Sequence, residues 1–220
     1  MRHFQEELDD LKGRLLEMGG LVESAIYRSV AAVIEKDVDQ AQQVLKNEAR
    51  INQMEIVVDE LATRLLATQQ PMASDMRFLT AAIKINNDLE RMGDLAVNIV
   101  ERALSLMHES VIRPAIDIPK MAKLTESMVH KSLDAFVRAD AELARNVLLS
   151  DDAVDELRDI VYEELVKFMQ LDPSNVRPGV NLMFVARSLE RLADHATNIA
   201  EDVLFLVRGV DVRHHAEARQ

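Results

Sequence analysis

Residues 89–101 read LERMGDLAVNIVE and residues 189–201 read LERLADHATNIAE, with eight of thirteen positions identical. Within the first copy, Leu89, Met92, Ala96 and Ile99 recur at intervals of three and four, the period of an amphipathic helix. Residues four apart share a helical face, so Glu90 stacks over Asp94 and Glu190 over Asp194. Asn98 and Glu101, and likewise Asn198 and Glu201, continue each polar stripe along the border of the apolar one.

The duplication extends outward from this motif. Met18, Leu21, Glu23 and Ser24 match Met121, Leu124, Glu126 and Ser127 at an offset of 103, and Ala32, Asp37 and Ala41 match Ala135, Asp140 and Ala144. The last helix of each half matches at an offset of 100, as expected if the preceding loop is three residues shorter in the second half. Prolines at 71, 114, 119, 173 and 178 punctuate the chain, and Asp37 and Asp140 are suited to cap helix N-termini. The periodicity predicts six helices, about 3–36, 38–69, 74–110, 118–138, 141–171 and 176–208. Helices this long are expected where they run the length of a bundle. The fold class is therefore all-α: two tandem, internally repeated three-helix antiparallel bundles. The first occupies 1–112, a linker 113–119 and the second bundle 120–210, with a disordered tail over 211–220.

Composition agrees. Apolar residues make up 48% of the 220 residues, aromatics only 4%, and there are 6 glycines and 5 prolines, which favours helix over sheet. With no cysteine, disulfides and thiolate metal sites are excluded. The first residues, MRHFQEELDDLK, lack a signal-peptide core, and no apolar run is long enough to span a bilayer, so a cytoplasmic location is expected. A net charge of −12 argues against nucleic acid as partner. The methionines, including Met54, Met72, Met76, Met92, Met121, Met128, Met169 and Met183, mostly fall at core spacing; a groove for a partner helix is the alternative.

The second helix of each half carries acids at the same spacing, Glu55 with Asp59 and Asp155 with Asp159. Facing the pairs on the third helices, they would bring four carboxylates together in each half. Such a cluster repels itself unless arginines, protons or a divalent cation compensate. One reading is a solvated acidic face partnered by Arg91, Arg187 and Arg191. The other is an all-oxygen site suited to magnesium, manganese, calcium or iron. Ferritin-like di-iron chemistry needs Glu-x-x-His, which is absent. No phosphate-cradling glycine loop or Gly-x-Ser-x-Gly elbow occurs. His195, five residues after Glu190, reads as a surface or supporting residue. No catalytic residues are assigned. A carboxylate-bridged metal-storage or metalloenzyme bundle is the alternative function.

The chain strongly resembles the PhoU family of bacterial phosphate-transport accessory and regulatory proteins. The resemblance rests on MGGLVE at 18–23, INQMEIVVDE at 51–60 and QPMASDMRFL at 70–79, with Pro71, Asp75 and Arg77 in a P-x-x-x-D-x-R loop. It rests further on LERMGDLAVNI at 89–99 and ARSLERLADHATNI at 186–199. It implies two tandem three-helix bundles and divalent or multinuclear metal sites (iron, manganese, magnesium or zinc) on the E/D-x-x-x-D motifs. These fall on Glu55, Asp59, Glu90 and Asp94, and on Asp155, Asp159, Glu190 and Asp194. Under the 103 offset, Glu55 aligns with Arg158. The resemblance also implies a homodimeric, non-enzymatic negative regulator of the phosphate-starvation response, which restrains phosphate uptake. Its implied partners are a phosphate sensor histidine kinase and the nucleotide-binding subunit of the phosphate ABC transporter.

Overall fold

A computed structural model describes residues 2–69, 71–107, 109 and 117–209. Most of the expected linker and the expected tail, with His214 and His215, lie outside them. The helices are α1 (Arg2–Ile34), α2 (Val38–Thr68), α3 (Ala73–Leu106), α4 (Ile118–Arg138), α5 (Ala141–Leu148), α6 (Asp151–Leu171) and α7 (Val176–Arg208). A single 3₁₀ turn, Pro173–Asn175, precedes α7. No strand occurs among the described residues.

The repeat holds at the level of backbone. Adding 103 to the bounds of α2 gives 141 and 171, the start of α5 and the end of α6. Asp37 Oδ1 accepts from the Asp39 and Gln40 amides at 2.9 and 3.1 Å. Asp140 Oδ1 accepts from Glu142 and Leu143 at 2.9 and 3.0 Å. Each satisfies orphan amides at a helix start. The preceding residues, Lys36 and Ala139, both adopt left-handed backbone, with φ of 55° and 51°.

One expected helix, 141–171, is broken at Leu149–Ser150. The Ser150 amide donates to Val147 O at 3.0 Å, an i→i+3 bond that tightens the turn. Its hydroxyl donates to Asn146 O at 2.8 Å, so the side chain occupies a backbone acceptor at the break. Asp151 and Asp152 then supply the negative charge favoured at a new N-terminus.

A single apolar core runs through both halves. At its centre α3 and α7 cross antiparallel, as Arg77 Nε near Leu206 O (3.5 Å), Lys84 Nζ with Asp202 Oδ1 (2.8 Å) and Arg102 over the Phe184 ring show. The halves also meet where Phe78 stacks on Phe136 (6.2 Å between centroids) and where α1 packs against α4. Met92, Met121 and Met128 are buried in this core as expected, whereas Met72 and Met76 are exposed.

Candidate functional site: two unequal acidic clusters

In the first half, α2 and α3 lie close because residue 93 is glycine. A Cβ there would stand 3.2 Å from the Ile51 side chain. The second half has Ala193 at the matching position. One turn before Glu90 on the same face is Asn86, fully buried. Its Nδ2 donates to Glu55 O at 2.9 Å and to Asp59 Oδ1 at 3.0 Å, tying α3 to α2 and aiming Asp59 at the shared face. Among the described residues, Asn86 Oδ1 has no hydrogen-bond partner.

Asp94 and Glu55 both sit within electrostatic reach of Glu90. Partial burial pushes the Glu90 carboxyl above the usual range, the negative charges of Asp94 and Glu55 push it further, and Arg91 opposes the shift. Arg91 is exposed and its Nε lies 3.5 Å from Glu90 Oε2, so this compensation is weak. The first cluster therefore carries the excess negative charge that a divalent cation would offset. As the side chains stand, no group of three or more among the described residues closes into a metal cage.

The second half is different. Arg158 Nη1 donates to Glu190 Oε1 at 2.8 Å and to Asp155 Oδ1 at 3.0 Å. Its Nε donates to Asp159 Oδ1 at 3.0 Å and its Nη2 lies 2.9 Å from the same oxygen. One guanidinium thus joins three of the four expected metal ligands and bridges α6 to α7. Burial works against its charge, but the hydrogen bonds and the carboxylates around it outweigh that and raise its affinity for the proton. The fourth expected ligand, Asp194, lies at the exposed edge of the cluster. Partial desolvation of its carboxyl, then the charges of Glu190, Asp151 and Asp155, push it up to about 6, with His195 acting the other way. Tyr162 borders the same cluster, and its hydroxyl is raised by burial and by Glu190. The chemistry of this donor set does not fit a metal: the place a cation would take is held by a side chain.

The structural counterparts of Glu55 and Asp59 are therefore Arg158 and Tyr162. Asp155 and Asp159 reach the second cluster from a different register of α6. Asn86, Arg158 and Tyr162 are the cluster residues that the paired-acid pattern misses; a search for polar residues one turn from each acid on the same face would have found Asn86. His195 and Asn198 make their hydrogen bonds to α3. His195 Nδ1 lies 2.7 Å from Asp88 Oδ1 and Asn198 Nδ2 donates to the same oxygen at 3.2 Å, joining α7 to α3. Arg77 of the P-x-x-x-D-x-R loop reaches the last turn of α7 beside Gly209, whose φ of 69° ends that helix.

No described helix is long and apolar enough to cross a membrane. The PhoU domain matches residues 15–103 and again 118–203, the two halves of the repeat. The phosphate-specific transport system accessory protein PhoU homolog of Pseudomonas aeruginosa is 43% identical over 214 residues, 97% of this chain and 88% of that protein. The crystal structure of PhoU from Pseudomonas aeruginosa superposes with a TM-score of 0.91 at 42% identity, over 94% of this chain and 100% of that one. The phosphate transport system regulatory protein PhoU from Streptococcus pneumoniae gives 0.86 at 29% identity, over 95% and 99%. With an all-helical duplicated fold and both repeats matched, this chain belongs to the PhoU family.

Proposed function

We propose that this chain is a cytoplasmic, non-enzymatic regulator that holds the phosphate-starvation response off when phosphate is plentiful. It couples the phosphate ABC transporter, through its nucleotide-binding subunit, to a phosphate sensor histidine kinase, and it restrains phosphate uptake. The observation that carries this reading is the 43% identity, across 97% of the chain, to a protein named as a phosphate-specific transport system accessory protein. The likeness to the phosphate transport system regulatory protein PhoU of Streptococcus pneumoniae supports it. A rigid acidic bundle suits docking: it presents fixed charge, with −12 overall, to partner surfaces of opposite sign.

The first-half acids belong to the same proposal. Glu55, Glu90 and Asp94, with Asp59 held by Asn86, would take a divalent cation of the hard, oxygen-preferring kind. Bound there, the ion would neutralise the repulsion between α2 and α3 and stiffen that face. Assembly as a homodimer completes the reading.

The test is direct binding. Purified chain is titrated onto the immobilised cytoplasmic portion of the sensor kinase and onto the transporter's ATP-binding subunit, with and without added manganese, and its mass is measured in solution. The proposal expects saturable binding to both partners by a dimeric chain. Absence of binding to both would remove the adaptor role.

A further inference from the structure

We infer that Arg158 is a built-in replacement for an external cation, so that the second half of this chain excludes divalent metal. The inference stands whether or not the first half takes an ion.

Three observations converge on it. Arg158 makes hydrogen bonds or ion pairs with Asp155, Asp159 and Glu190 at 2.8 to 3.0 Å, so three carboxylates already share a cation. The guanidinium fork is planar and permanently charged, which matches carboxylates from two helices at once. The repeat places Arg158 where the first half has Glu55: one substitution exchanges an anion for a cation and moves the local charge by two. Tyr162 likewise stands where the first half has Asp59, removing a second anionic oxygen donor. A divalent ion entering here would have to displace Arg158 from all three partners and then face its positive charge at close range. The two halves, alike in backbone, thus differ in what neutralises them.

The experiment uses the full chain with the first half silenced by Glu90→Gln/Asp94→Asn and stripped by chelator. Bound manganese is measured by elemental analysis after dialysis, and the thermal midpoint is recorded with and without manganese. With Arg158 intact, this protein should hold no manganese above buffer and show no manganese-dependent midpoint shift. Adding Arg158→Glu, which restores the first-half residue, should gain about one equivalent of ion per chain, and adding Glu190→Gln should abolish the gain. Because Arg158→Glu adds charge and can prevent folding, Arg158→Gln is run in parallel, with a manganese-dependent rise in midpoint expected. Manganese bound by the silenced protein with Arg158 intact would overturn the inference. So would failure of both Arg158 variants to respond to the ion.

Discussion

Arg158 Nη1 lies 2.8 Å from Glu190 Oε1, and through that contact α6 and α7 hold one another across the second acidic cluster. Both side chains are about three-quarters or more covered, with relative exposures of 25% and 21%. A fully buried pair broken on one side costs about 3–5 kcal/mol, and exposed pairs contribute at most about 1. Arg158→Ala should fall between these limits, destabilising the chain by about 1–2 kcal/mol at neutral pH. Urea unfolding measures it, and a double-mutant cycle with Glu190→Gln should return a coupling of at least about 0.5 kcal/mol. Strict additivity would mean that the contact is not a working one.

Acidity should strengthen the fold through Asp194. Its carboxyl titrates near 6 in the folded chain against an ordinary value of 3.8. Between those values the folded state holds more protons than the unfolded state, so this group adds stability as pH falls from 7 toward 4 and loses it as pH rises through 6. Glu90 is shifted in the same direction. Asp194→Asn should be more stable than the parent at pH 7 and should gain less on acidification to pH 5. Equal pH slopes for parent and variant, read from urea midpoints, would contradict the assignment.

The union of the two halves leans on Lys84 and Asp202. Lys84 Nζ lies 2.8 Å from Asp202 Oδ1, whose side chain is only 7% exposed, and 5.5 Å above the Phe205 ring. Lys84→Met keeps the aliphatic stem but removes the cation facing a buried carboxylate. It should cost about 2–3 kcal/mol, a loss visible as a lowered thermal midpoint. Asp202→Asn in the Lys84→Met background should recover part of it.

Ala139 is strained by its position. It holds φ 51° at the end of α4, where a β-carbon crowds the backbone. Ala139→Gly should stabilise the chain by about 0.5–1 kcal/mol because glycine adopts this left-handed cap freely. Chemical denaturation decides it: a destabilised glycine variant would show that the cap is not strained.

Much of this architecture is legible in the sequence for a physical reason. Apolar spacing fixes which face of each helix is buried, and the matching Asp37 and Asp140 caps mark where helices begin. The break at Ser150 is not legible, because it depends on which backbone acceptor a serine hydroxyl chooses within an otherwise periodic stretch. The acid pairs are legible as a pattern, and the charges of Asp94 and Glu55 both act on Glu90. The pattern is blind to Arg158, however, since a cation three residues from Asp155 reads in sequence as an ordinary surface pair. Whether it reaches across to Glu190 is set by the packing of α6 on α7. Asn86 escapes for a similar reason: a buried amide inside an apolar stripe looks like an imperfection until its donors are seen on α2.

The regulatory role is tested most directly in cells of the organism that carries this chain. Its reading frame is deleted, a reporter is placed under a phosphate-starvation promoter, and activity is read in phosphate-rich medium. The deleted strain should express the reporter constitutively, and restoring the chain should switch it off again. A reporter that stays silent without the chain, or stays on after the chain is restored to its normal level, would contradict the account.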